Sequence, residues 1–180
     1  MAGRSWEGLA MSDHITIRQA TQDDLVAVRA LCWDYRTGLL RIAGDRRDVV
    51  EADYSQRQFE TIMDSLPQLH ARPDGAIFAG DVEGSVLGCA MTHRIDAQSC
   101  EIKRLFVDPA ARGKGLAERL VTSAMRQARA DGYTRMVLDS LIWLEDALRL
   151  YDRLGFAPCP PYYPLQPAFA DLLVFRAIKL

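Results

Sequence analysis

The sequence predicts a mixed α/β domain: a twisted, mostly antiparallel sheet flanked by helices. Two observations carry this. Residues 101–141 read strand, helix, strand, and two strands joined through one helix imply a right-handed parallel crossover. The residues before them hold short apolar strands broken by turn signals at Glu83-Gly84-Ser85 and at 96–99, which imply hairpins and antiparallel pairing. There is no internal repeat, and 180 residues suit one domain of ordinary size, expected over 13–180 behind a loose, aperiodic extension over 1–12.

Element by element, Ile15-Thr-Ile17-Arg18 alternates as a half-buried strand does. Thr21-x-x-Asp24 is the cap of a helix in which Leu25, Val28, Ala30 and Leu31 recur at helical spacing. Gly38 and Gly44 are expected to punctuate an arginine-rich loop holding Arg36, Arg41, Arg46 and Arg47. A second helix is expected over about 52–66, ended by Pro67. Pro73-Asp74-Gly75 is a turn. Strands follow at 76–81, at 86–94 and in the run ending at Val107. From 113 to 131, Leu116, Leu120, Ala124 and Ala128 share one helical side with Val121 and Met125 beside them, while Glu118, Arg119, Arg126 and Arg129 fall away. Gly132 ends that helix. A strand at 134–141 precedes a helix with Leu144, Ala147, Leu148, Tyr151 and Leu154, closed by Gly155. A proline-rich loop at 158–167 leads to a last strand in 170–180. The predicted order is β-α-α-β-β-β-α-β-α-β-β.

Composition narrows the function classes. At 49% apolar and 26% charged the chain can bury a core and stay in solution, and a net charge of −2 gives no basic field to recruit nucleic acid. No apolar run approaches the ~20 residues of a membrane span, and the first ten residues lack the apolar stretch of a secretory signal. Cys32, Cys89, Cys100 and Cys159 form no C-x-x-C pair, and His14, His70 and His93 do not cluster with them, so no metal site is expected. Buried free thiols in a reducing cytoplasm are the expectation.

The most informative stretch is Val107-Asp-Pro-Ala-Ala-Arg112-Gly113-Lys114-Gly115-Leu116-Ala117. A strand stops at Asp108-Pro109, and Arg-Gly-Lys-Gly opens a helix. Glycines there bare the backbone N–H groups, the helix N-terminus carries about half a positive charge, and Arg112 and Lys114 add full ones, which together make a phosphate cradle. The P-loop spacing fails because Leu116 follows Gly115. The dinucleotide fingerprint fails because Glu118 stands where its third glycine belongs. Arg112-x-x-Gly115-x-Ala117 instead resembles the pyrophosphate motif of the GNAT superfamily of N-acetyltransferases. The block Cys100-Glu-Ile-Lys-Arg-Leu-Phe-Val107 resembles a bacterial GNAT subgroup with Glu-Met-Lys-Arg-Leu-Tyr-Val at this place. Leu138-Asp139-Ser140, Ala147-x-x-Leu150-Tyr151-x-x-Leu154-Gly155-Phe156 and Pro161-Tyr162-Tyr163 continue the likeness, which covers about 15–180. There are two departures. Leu144 stands where many members carry an asparagine that contacts the pantetheine arm, and Phe106 replaces the subgroup's tyrosine.

The resemblance implies a GNAT fold and acetyl-CoA as cosubstrate. Leu105, Phe106 and Val107 would offer backbone groups to the pantetheine, and Arg112, Gly113, Lys114, Gly115, Leu116 and Ala117 would wrap the pyrophosphate. The leading reading is a small-molecule amine acceptor and, since no cysteine has a recognisable base motif, direct attack in a ternary complex; dimers are common among relatives, and a homodimer is left open. An alkyl amine is protonated at pH 7, so a general base is worth about 10²–10⁴ in rate. Glu101 matches the position of the proposed base in some members, and desolvation in a central strand is expected to raise its pKa. The competing reading is a carboxylate paired with Lys103 or Arg104. Tyr151 matches the tyrosine that points at the CoA sulfur, and is equally a packing residue by its helix position. Lys103 and Arg104 are expected to face opposite sides of the strand. They either pair with Glu101, Asp139 or Asp108, or recognise a carboxylate or phosphate on the acceptor. The arginines of 36–47 and Tyr162-Tyr163 could line the same end. A protein or peptide acceptor, and a non-catalytic acyl-CoA sensor, remain the rival readings.

Overall fold

The computed structural model describes residues 14–180, so the extension expected over 1–12 lies outside the described residues. The described elements are β1 (Ile15–Gln19), α1 (Leu25–Ile42), α2 (Arg47–Asp53), α3 (Gln56–Asp64), α4 (Leu66–Leu69), β2 (Ala76–Val82), β3 (Ser85–Arg94), β4 (Ser99–Val107), α5 (Leu116–Ala130), β5 (Arg135–Leu141), α6 (Glu145–Arg153), β6 (Ala157–Pro158) and β7 (Leu173–Lys179). They form one sheet in the order β1-β2-β3-β4-β5-β7-β6. Every described pairing is antiparallel except β4 with β5, the crossover through α5. The mixed, mostly antiparallel sheet read from the sequence is thus the observed one.

Strand alternation sorts the core onto two faces. Phe78, Ala90, Ile102 and Leu138 pack under Leu116, Leu120, Val121 and Ala124 of α5. Ile77, Cys89 and Met91 point the other way, onto Val28, Leu31 and Cys32 of α1 and Phe59 and Met63 of α3. A third cluster joins Leu39, Leu40 and Val50 to Leu141, Phe169 and Leu172. The expected stripe of α5 is buried, and Gly132 and Gly155, both at φ +90, follow the ends of α5 and α6. At the start of α1, Asp24 accepts from the Thr21 backbone N–H at 2.7 Å and pairs with Arg18, completing the expected capping box.

Two expectations fail in the first half. The arginine-rich loop is helix instead. α1 runs on to Ile42 and α2 starts at Arg47, with Arg46 in the 3-10 turn between them. Glycine in a helix costs about 1 kcal/mol against alanine, and burial of Leu39 and Leu40 beside Gly38 offsets that. Arg36 is buried, its Nε donating to the Tyr54 carbonyl at 2.7 Å. The expected second helix is broken into α2, α3 and α4. Ser55 interrupts it by capping α3, accepting from the Gln58 N–H. Pro67 does not end a helix but sits in the first turn of α4, where a missing N–H removes no helical hydrogen bond.

Gly80 on β2 and Gly88 on β3 seat the start of α5. A Cβ on Gly80 would meet Leu116 Cδ1 at 2.8 Å, and one on Gly88 would meet Leu116 Cδ2 at 3.0 Å. Two missing side chains let the first residue of α5 drop onto the sheet, which fixes where the helix N-terminus points.

Candidate active site

The site begins where the sheet opens. β4 and β5 pair only through Ser99, Cys100 and Glu101 with Arg135, Met136 and Val137. Beyond Glu101, β4 keeps β3 alone and β5 keeps β7 alone, so the strands part in a V whose β4 edge has no strand partner among the described residues. β4 also carries a bulge. Cys89 opposes Phe106 and Met91 opposes Lys103, so Ala90 faces both Arg104 and Leu105. Arg104 sits at φ +52, a region a non-glycine residue occupies at a cost of about 1–2 kcal/mol. The extra residue resets the alternation. Leu105 and Val107 pack toward α5, and Phe106 turns toward α1, its ring 6.2 Å from that of Tyr35.

A cavity of ≈ 60 Å³ occupies the V. Ile102, Lys103, Arg104 and Leu105 form one wall, and Asp139 and Ser140 of β5 form the other. Leu144, Ala147 and Tyr151 close it from α6 and its start, and Tyr35 and Tyr54 from the α1–α2 side. The bulge corrects the expectation that Lys103 and Arg104 face opposite sides: both line this one cavity.

The donor end is made of backbone. Asp108 accepts from the Ala110 N–H at 2.8 Å and shapes the short turn Pro109–Ala111. Gly113 and Gly115 lie at φ +77 and +76, with nothing within 4 Å of a would-be Cβ on either. Gly115 is the N-cap of α5 and has no side chain to occupy the first N–H groups of the helix. Leu116 is buried and Ala117 half-buried, while Arg112 and Lys114 are exposed; Arg112 Nε reaches the Val107 carbonyl at 3.4 Å. Open N–H groups, a helix N-terminus and two cations at one spot suit a pyrophosphate. The parted β4 edge leads from that spot into the cavity. Every residue expected to bind CoA therefore lies along one continuous path.

The acceptor end is made of side chains. Glu101 is 3% exposed and filled on both oxygens. Its Oε1 accepts from Lys103 Nζ at 2.7 Å and from the Tyr162 hydroxyl at 2.6 Å, and His93 Nε2 lies 3.1 Å from Oε2. Burial favours the neutral acid. His93, Lys103 and Tyr162 together outweigh it and hold the carboxyl well below the usual range. The expected upward shift of Glu101 is thus overturned by its partners. Lys103 also lies 3.4 Å from Asp139 Oδ1. Burial alone would lower this ammonium, but Asp139 and Glu101 raise it. Asp139 itself is pushed up, first by burial. Burial, with the Asp139 charge, also pushes the Tyr151 phenol above its ordinary range.

Arg104 has a different environment. Its Nη1 lies 3.4 Å from His70 Nε2, and its buried Nε has no hydrogen-bond partner among the described residues. His70 Nδ1 lies 2.9 Å from the Thr92 carbonyl, and burial pulls its pKa down to about 4, so the ring facing Arg104 is neutral at pH 7. The pairing expected for Lys103 is observed with both Glu101 and Asp139. Asp108 serves the turn and pairs with neither cation.

Tyr162, expected only at the rim, reaches back from the proline-rich loop to Glu101. His70, His93, Tyr35 and Tyr54 also stand at this site, and no motif in the sequence points to them. Only His93 left a signal, since the turn at 96–99 fixes the register that sets it opposite Glu101. The arginines of 36–47 do not line the cavity. Among the described residues no group of three or more His, Cys, Asp or Glu could hold a metal ion, and no helix is long and apolar enough to cross a membrane.

Residues 37–156 match the family model described as the acetyltransferase (GNAT) family. Over 97 residues the chain is 37% identical to an uncharacterised N-acetyltransferase of Escherichia coli (strain K12), covering 52% of this chain and 58% of that one. Over 101 residues it is 33% identical to an IAA acetyltransferase of Azospirillum brasilense, covering 56% and 66%. The chain thus spans less than two thirds of either relative's own length. A GNAT-family acetyltransferase from Staphylococcus aureus Mu50 shares the fold at TM-score 0.72 and 13% identity, over 92% of this chain and 98% of that one. A GNAT-family acetyltransferase from Elizabethkingia anophelis with acetyl-CoA bound does so at TM-score 0.59 and 16% identity, over 93% and 99%.

Proposed function

Because the chain belongs to the GNAT family of acetyltransferases, we propose that it moves an acetyl group from acetyl-CoA to the primary amine of a small, anionic acceptor by direct attack. The observation that carries this reading is the V between β4 and β5. It joins a backbone anion cradle to a cavity lined by a carboxylate, a phenol and an uncompensated arginine.

Acetyl-CoA supplies the activated acyl group. The N–H groups of 113–117 hold its pyrophosphate, with Arg112 and Lys114 adding charge, and the free edge at Leu105, Phe106 and Val107 takes the pantetheine. Tyr151 stays protonated at neutral pH and hands its proton to the departing sulfur. Glu101 is a fixed negative charge that orders Lys103 and Tyr162. Lys103 is matched by two carboxylates, so Arg104 is the cation left to receive an anionic group, and its guanidinium suits a carboxylate. The small cavity favours a small acceptor. The three buried cysteines serve as packing residues, with no acyl-cysteine step.

An acceptor screen by thiol release, spanning amino acids, polyamines, aminoglycosides and lysine peptides, tests the reading. Anionic amines are expected to lead. Arg104→Met is expected to lower kcat/KM for them at least tenfold with acetyl-CoA KM unchanged. A panel led by lysine peptides would make the acceptor a protein. Acetyl-CoA binding without thiol release would make the chain a sensor.

A further inference from the structure

Asp139 stands on β5 just past the last pair with β4, in the wall of the cavity. Its Oδ1 makes long contacts to Lys103 Nζ at 3.4 Å and to the Tyr162 hydroxyl at 3.5 Å, and its carboxyl lies beside that of Glu101. Glu101, the carboxylate that the motif singles out, is saturated at 2.6–3.1 Å on both oxygens and is not part of the cavity lining. An amine that enters the cavity therefore meets Asp139 in its wall, whereas Glu101 lies outside the lining with a partner already on each oxygen. We propose that Asp139 is the general base of this site, and that Glu101 is a positioning residue that keeps Lys103 and Tyr162 mostly to itself and so leaves Asp139 available.

The inference rests on the acetyltransferase reading. The groups facing Asp139 are Lys103 and Glu101 from β4, Tyr162 from the loop before β7, Tyr35 from α1 and Tyr151 from α6. Burial and the Glu101 charge push Asp139 up, which makes it the better proton acceptor of the two carboxylates, while Glu101 is held down. In the step, Asp139 takes one proton from the acceptor ammonium. The neutral nitrogen bonds to the acyl carbon, the C–S bond breaks, and Tyr151 protonates the sulfur. The second proton lost by nitrogen restores the phenol, and Asp139 releases its own to solvent. Overall an ammonium and a thioester become an amide, a free thiol and one proton.

Two measurements on the full chain decide it. A carboxyl NMR titration without any acceptor is expected to place Asp139 above the ordinary ~3.9 of aspartate and Glu101 below the ordinary ~4.3 of glutamate; the reverse order overturns the proposal. With an accepted amine, Asp139→Asn is expected to lose at least 100-fold in kcat/KM along with the acid limb of its pH profile. Asp139→Glu should recover the limb, and Glu101→Gln should keep it at a lower rate. Calorimetric acetyl-CoA binding by Asp139→Asn verifies its fold. An acid limb retained in Asp139→Asn, or lost only in Glu101→Gln, overturns the assignment. A wild type that turns over no amine overturns the acetyltransferase reading itself.

Discussion

The two ends of the cleft are built from different materials. At the donor end the groups that face a ligand are backbone N–H groups of a turn and a helix start, placed by glycines at positive φ and by the seat that Gly80 and Gly88 leave for Leu116. At the acceptor end they are charged and polar side chains from β3, β4, β5 and the loop before β7, converging across sequence separations of 36 to Asp139 and 61 to Tyr162. Backbone donors need no counter-ion and no titration state. A side-chain cluster has both, so its chemistry depends on which neighbours neutralise which. The donor end should therefore respond to shape and the acceptor end to charge and pH.

That contrast can be broken in three places, taken from the largest expected effect to the smallest. Among the described residues, Lys103 is the cation that lies between Glu101 and Asp139. Lys103→Met leaves two largely buried carboxylates without it, and unfolding by urea at pH 7 is expected to show a loss of about 3–5 kcal/mol. A loss under about 1 kcal/mol would mean the cluster is more solvated than its burial indicates.

Next comes His70. Its folded pKa of about 4 lies below the ordinary 6.5, so folding favours the neutral ring. The unfolded chain binds the extra proton between these values. The contribution is therefore complete above about pH 6.5 and is lost as pH falls from there to about 4, amounting to about 3 kcal/mol. Carboxylates held low, such as Glu101 and Asp24, lose their contribution only further down, below about pH 4. Stability measured at pH 7 and pH 4.5 should separate wild type from His70→Gln by about 2.5 kcal/mol, the part of that loss reached by pH 4.5; parallel curves would contradict the burial argument.

The smallest effect is expected at the donor end. Arg112 is exposed and adds only a screened charge to a cradle made by backbone. Arg112→Ala should raise acetyl-CoA KM about three- to fivefold at low salt, under about 1 kcal/mol, and the difference should vanish near 0.5 M salt. A 100-fold rise would show that the side chain, not the backbone, makes the site.

The same contrast explains what the chain discloses when read as letters. The donor end is local. Arg112-x-x-Gly115-x-Ala117, the strand before it and the stripe of α5 after it lie within about thirty residues, and the glycines state their own backbone geometry. The mixed, mostly antiparallel character of the sheet follows from the crossover and the hairpins for the same reason. The acceptor end depends on register, and register was only partly readable. Glu101 and Tyr151 could be named. What Glu101 touches required knowing that His93 lies opposite it and that the proline-rich loop folds back. The sign of its pKa shift is accordingly set by those partners, against the burial that the strand position alone implies. The helix breaks at Tyr54 and Ser55 and the continuation of α1 through Gly38 were decided by packing of Leu39, Leu40 and Phe59, which outweighs local propensity.

The single extra residue in β4 changes the phase of that strand. Before Arg104, odd-numbered positions such as Glu101 and Lys103 look toward α1; after it, odd-numbered Leu105 and Val107 look toward α5. One continuous strand thus serves two masters in opposite phase, the acceptor chemistry upstream and the coenzyme path downstream. A one-residue deletion at 104 would bring the halves into step. Leu105 and Val107 would go on facing α5 and Phe106 α1, now in simple alternation after Lys103, and the deletion would remove only the bulge and the Arg104 side chain it turns into the cavity.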